Sequence, residues 1–373
     1  MKRRAAALLL ALLTLSGCSS MLNRSYRSVS PHRAQTLDAA GSDAAGTLRA
    51  ETFGELVNDV QFFVSEGMPG GIVHLYGYPG SLDEDLEQLR DELLERDPLC
   101  CWALSGIEWE RSHLISFEEC RFTFRYRVDP TQISRIQSAI GTTAIRACLG
   151  QALSRYDRRL VLQTSSYYGR EEVLLQLIHQ AYYAQPGSAL GYPEVSILLY
   201  PADHDGTRIL AEIHFSYGSD PLLLEEHARR VADAAAALTQ EAPGQGEEGC
   251  RLLCSRLAEL NHYSPNGAAS VFSALISGGA DSEGMALALQ LLCQESGIEC
   301  LPVSGTLDGA PHWWNLVKVN GVWRHVDVTA FSAGRDFLFT DSQMSPRYVW
   351  QKEQYPACKE AEREASAVPS LFP

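Results

Sequence analysis

"HWWNLVKVNGVWRHVDVT", running from His312 to Thr329, is the stretch whose reading decides the fold. Asn320-Gly321 lies at its centre. A type I′ turn needs positive φ at both central residues, and Asn-Gly is the strongest short signal for it. With those two as the loop, Val319 faces Val322. Pairing then continues outward until Trp314 faces Asp327 and His312 faces Thr329. Side chains alternate along a strand, so His312, Trp314, Leu316, His325, Asp327 and Thr329 fall on one face. His312 and Asp327 become diagonal neighbours, their Cα atoms roughly 7–8 Å apart and their side chains within hydrogen-bonding reach. A carboxylate on one imidazole nitrogen fixes the tautomer and stabilises the imidazolium when the other nitrogen takes a proton. An isolated His and Asp would default to a surface cross-strand pair. Here Trp313, Trp314 and Trp323 flank them and argue for burial.

Upstream, "GGADSEGMALALQLLCQESGIEC" (278–300) reads as a helix that starts near Asp281 or Ser282. Met285, Leu289 and Leu292 recur at helical steps as a core-facing stripe, and Gly297 is the expected C′ residue. A nucleophile in the first turn would meet the positive end of the helix dipole and free N–H groups able to hold an oxyanion. Ser282 also suits the start of a helix as a cap.

In combination, "SEGMA", "SGIEC", "HWWN" and "WRHVDVT", in that order, resemble the transglutaminase-like core of the papain-type superfamily. The tail "FLFTDSQMS…YVWQKEQYPAC" resembles the end of bacterial members, so the likeness covers about a hundred residues. It implies an α+β core with a helix packed on an antiparallel sheet and a site of Ser282, His312 and Asp327. His312 would be the general base and Asp327 its orienting acid. Trp313, Trp314 and Asn315 would lie at the ligand, and no metal or cofactor is implied. Ser282 stands where the family has its nucleophilic Cys, and Met285 replaces the usual aromatic residue.

That departure matters chemically. A thiol with an ordinary pKa of about 8.5 becomes a thiolate beside a helix N-terminus and a His. A serine hydroxyl is far less acidic and needs its proton removed in concert with attack. A misplacement near 1 Å costs about a hundredfold. Cys293, about three turns down the helix, could not substitute. The expectation is an inactive or impaired site that binds a peptide, protein or cell-wall ligand. The alternative is an active Ser-His-Asp amide hydrolase or acyltransferase.

The chain has 373 residues, enough for two or three domains, and a formal net charge of −15. With no basic stripe after residue 36, that charge excludes nucleic acid as a partner. "MKRRAAALLLALLTLSGCSS" combines a basic n-region, a short apolar run and a small-residue site that resembles the bacterial lipobox. Residues 1–17 are then a lipoprotein signal peptide, and Cys18 is the lipidated mature end. The membrane is reached through lipid, and the folded part lies on the extracytoplasmic face. Residues 18–50 read as a flexible tether.

Residues 51–240 read as an α+β region built from a tandem repeat, about 70–150 and 158–240. Each half has βαββα character, and "FRYR" and "FSYG" sit about ninety residues apart. Residues 241–249 read as a linker and 250–373 as the transglutaminase-like domain. Ten cysteines in an exported chain raise Cys250–Cys254 and Cys293–Cys300 as disulfides, with buried free thiols the equal alternative.

Overall fold

The computed structural model describes residues 47–201, 207–240, 246–260, 262–332 and 337–359. The signal segment, Cys18 and the tether up to residue 46 lie outside the described residues, as do 241–245 of the linker. No described helix is long and apolar enough to cross a membrane. The chain mixes helix and sheet, as an α+β protein does, and it divides into two compact units.

The first unit draws on 47–64, 68–87 and 107–124. In chain order residues 47–126 form β1 (Thr47–Ala50), α1 (Phe53–Ser65), β2 (Gly70–Leu75), α2 (Leu82–Glu95), α3 (Pro98–Ala103), β3 (Leu104–His113) and β4 (Glu118–Tyr126), of which α3 and the second half of α2 belong to the second unit. The sheet order is β1-β2-β4-β3, with β1 parallel to β2 and β4 antiparallel to it. Strand β3 begins only at Leu104, because Asp97-Pro98 starts a helix just before it. The Asp97 carboxylate accepts from Cys100 N–H, and Pro98 occupies a first-turn position where no N–H is needed.

The second unit contains 65–67, 88–106 and everything described from 125 on. Its first part runs β5 (Gln137–Ser138), α4 (Thr142–Ser154), β6 (Arg159–Ser165), α5 (Glu171–Tyr183), β7 (Glu194–Tyr200), β8 (Arg208–Ser216) and α6 (Pro221–Thr239). Its sheet, β5-β6-β8-β7, has the same order and the same parallel edge pair as the first. Each sheet therefore carries one more strand and helix at its front than a βαββα unit.

The last part comprises α7 (Glu247–Leu260), α8 (Ser282–Glu295), β9 (Cys300–Leu307), β10 (Ala310–Val319), β11 (Val322–Val326), α9 (Val328–Ser332), α10 (Asp341–Met344) and β12 (Tyr348–Val349). These four strands form an antiparallel sheet, β11-β10-β9-β12. Val319 pairs with Val322 across Asn320 (φ 51) and Gly321 (φ 81), so the turn has the positive φ values of type I′. Asp308-Gly309, with φ 52 and 85, makes the preceding hairpin in the same way.

The sheet has two apolar faces. Val317, Val319 and Val326 join Met285, Leu289 and Leu292 of α8 in a core that continues to Leu149, Leu177, Phe215 and Val231. The 241–249 stretch thus connects two parts of one core. Val303, Trp314 and Leu316 on the opposite face pack against Met344, Tyr348, Trp350 and Cys358. Helix α8 is buried on all sides from Gly284 to Cys293 rather than along a stripe, as befits an element enclosed by others. A Cβ on Gly284 would lie 2.8 Å from the Ser270 carbonyl oxygen, so the 268–270 segment can approach only because this residue is glycine. All nine described cysteines are free thiols. The Cys250 thiol lies in hydrogen-bonding reach of both Cys254 and Cys293.

Candidate active site

Strand β10 presents His312 near its start, and β11 delivers Asp327 just past its end. The imidazole Nε2 donates to Asp327 Oδ2 at 2.8 Å. Ladder pairing stops at Asn315–Val326, so the expected face-to-face partners beyond it do not form. The chain turns instead into α9, because the Asp327 carboxylate caps that helix. Its Oδ1 accepts from Thr329 N–H at 2.9 Å, Ala330 N–H at 3.3 Å and the Thr329 hydroxyl at 2.7 Å. Its Oδ2 also accepts from the Tyr348 hydroxyl at 2.7 Å. Burial alone would raise this carboxyl. The hydrogen bonds and charge of His312, with those of Thr329 and Tyr348, outweigh burial and hold it below the ordinary carboxylate value. An anionic Asp327 can only accept, so Nε2 carries a proton and Nδ1 is left to take one.

Ser282 is the first residue of α8, one position after Asp281, whose carboxylate caps the helix through Gly284 N–H at 2.9 Å. The Ser282 hydroxyl oxygen accepts from the backbone N–H of Trp313 at 3.2 Å. Since Trp313 follows His312 directly, this bond brings position 282 to the mouth of the His–Asp pair. Ser282 is 7% exposed and His312 4%. Tyr263 packs nearly perpendicular to the imidazole, with ring centroids 6.5 Å apart.

The other residues expected at the ligand divide. Trp313 is half-buried and stacks on Tyr183 of α5 at 4.8 Å, a contact from the preceding α+β part of the same unit. The Tyr183 hydroxyl donates to Glu283 at 2.6 Å. Burial pushes the Glu283 carboxyl up, the Tyr183 bond opposes this, and Asp281 adds to it. Trp314 and Asn315 sit in the interior, where their contacts are to protein. Trp314 stacks behind His312 at 6.3 Å, and Asn315 Nδ2 donates to the Ala286 carbonyl of α8 at 2.9 Å.

Behind Trp314 lies a second pair, a buried His325 against a half-buried Asp341. The indole N–H donates to His325 Nδ1 at 2.9 Å, and His325 Nε2 donates to Asp341 at 2.8 Å. His325, Asp341 and Cys358 bring three potential metal-ligand atoms within 4.8 Å of one another. The arrangement does not suit a metal. A ligating imidazole normally donates its other N–H outward, whereas Nδ1 here accepts from Trp314 and Nε2 must hold the proton.

Tyr183, Glu283, Tyr348 and the His325–Asp341 pair were not among the expected site residues. The tail's likeness to bacterial relatives pointed to the Tyr348 segment. No local periodicity marked Tyr183.

Comparison with known proteins is sparse. No protein-family profile matches the chain, and no curated protein matches it. Among solved structures it is similar to one described as a TGase, with 14% identity over 56% of this chain and 61% of that one, at a TM-score of 0.26. A proposed cysteine protease from Cytophaga hutchinsonii has 9% identity over 42% of this chain and 73% of that one, with a TM-score of 0.25. A proposed protease from Parabacteroides distasonis has 9% identity over 70% of this chain and 43% of that one, with a TM-score of 0.20. The chain spans less than two thirds of the first and third of these.

Proposed function

We propose that this chain is an exported, lipid-anchored surface protein carrying a transglutaminase-like domain with an impaired site, which binds a peptide or cell-wall-associated ligand. The supporting observation is the state of the Ser282 hydroxyl. It accepts from Trp313 N–H, and no hydrogen bond among the described residues joins it to His312. General-base catalysis requires that proton to reach the imidazole. With oxygen in place of sulfur the site retains the base and its orienting acid, and it lacks a nucleophile that ionises readily.

The intact His312–Asp327 pair favours a second reading, in which ligand binding shifts the hydroxyl onto Nδ1. Ser282 Oγ would then attack an amide carbonyl while His312 takes its proton. The proton would pass to the departing amine, and water or a second amine would resolve the acyl-enzyme.

A fluorophosphonate probe separates the two. The impaired reading expects no label on the full chain. Label at Ser282 that disappears in His312→Ala would establish the serine hydrolase instead. Anchoring is tested by feeding cells a palmitate analogue: label is expected on the wild type and absent from Cys18→Ala, and equal label on both would refute it.

A further inference from the structure

The C-terminal segment brings the Tyr348 hydroxyl to the site, where it touches the orienting acid. Tyr348 lies on β12, held against β9 by pairing with Leu307. Its ring packs edge-on against Trp314 at 5.2 Å and His312 at 6.0 Å. Its hydroxyl ends 2.7 Å from Asp327 Oδ2, the same oxygen that accepts from His312. The other oxygen, Oδ1, is committed to Thr329 and Ala330. Each Asp327 oxygen therefore has its own set of donors, and on Oδ2 the two donors share one charge.

We propose that Tyr348 is a positioning residue of this site, fixing Asp327 Oδ2 and setting how strongly that oxygen draws on His312. The inference rests on the reading of 282, 312 and 327 as a catalytic constellation. A carboxylate with fewer donors is a stronger acceptor for those that remain. Losing the tyrosine hydroxyl would leave His312 as the sole donor to Oδ2 among the described residues and strengthen that bond to the imidazolium. The titratable neighbours that could blur this effect are Tyr263, which faces His312, and Asp281, which is coupled to Tyr263.

The test uses the Ser282→Cys variant of the full chain and the rate of alkylation by iodoacetate across pH. An anionic reagent is drawn in by an imidazolium beside the thiolate, so the rate falls once that proton is lost. Tyr348→Phe keeps the ring packing and removes only the hydroxyl. It should move the descending limb to higher pH by roughly half a unit or more. In an Asp327→Asn background the same change should move nothing, because the effect passes through the carboxylate. An activated thiol whose descending limb stays put or moves down overturns the inference alone. So does equal movement in both backgrounds. A thiol that is not activated at all overturns the reading of the site and the role of Tyr348 with it.

Discussion

The Ser282 hydroxyl accepts the backbone N–H of Trp313 at 3.2 Å. The start of the central helix is thereby tied to the strand that carries the imidazole. In a site built around a thiolate, that N–H would face an anion. Here it faces the neutral Ser282 hydroxyl, a weaker acceptor than a thiolate would be.

Stability should fall on mild acidification because of His325. Burial lowers its pKa, against the pull of Asp341. A histidine whose folded value lies below its unfolded value of about 6.5 binds more protons when unfolded. Its contribution is therefore complete above about pH 6.5 and is lost as pH falls through the folded value. Protonation would also cost the Trp314 N–H its acceptor on Nδ1. Melting temperature followed from pH 8 downward should decline through this window, and His325→Gln, which keeps one acceptor and one donor, should flatten the decline. Equal slopes for the two proteins would show that His325 is not the group responsible. Asp327 acts lower, since its depressed carboxyl gives stability that is complete above about pH 4 and lost as pH falls further.

Tyr183→Phe should destabilise the protein by about 1–2 kcal/mol, measured by urea unfolding. A half-buried Glu283 would lose its only hydroxyl donor among the described residues while burial and Asp281 continue to disfavour its charge. The Phe ring preserves the stack on Trp313, so a loss of that size would come from the hydroxyl. A neutral result would mean that water satisfies Glu283 as well as tyrosine does.

Gly284→Ala should cost about 1–3 kcal/mol by the same method, because the new methyl meets backbone at Ser270 and Ala268 rather than a side chain that can swing aside. Unchanged stability would show that the 268–270 segment yields freely.

How much of this was legible in the sequence follows the range of each interaction. Asn320-Gly321 fixed the hairpin register through backbone dihedrals as far as Asn315–Val326, and His312 meets Asp327 just beyond the last pair, where the chain turns into α9. Asp308-Gly309 carried the same signal for the β9–β10 turn. The end of β11 was harder, because Asp327 fits a strand by spacing and a helix cap by chemistry, and the cap prevails once Thr329 and Ala330 supply their N–H groups. The roles of Tyr183 and Tyr348 left no local signal for a different reason. Each meets the site across a tertiary contact, 130 residues before Trp313 in one case and 21 after Asp327 in the other, and neither contact leaves a trace in local periodicity.

The most direct measurement is the alkylation rate of the thiol in Ser282→Cys near pH 6, compared with the same variant carrying His312→Ala. Cys250, Cys254 and Cys293 are fully buried, and the half-buried Cys148 is replaced by Ser in every protein compared. If position 282 stands at a working His–Asp pair, the introduced thiol should react about tenfold faster than a free thiol, and His312→Ala should abolish the excess. A rate at or below that of a free thiol, indifferent to His312, would contradict the account.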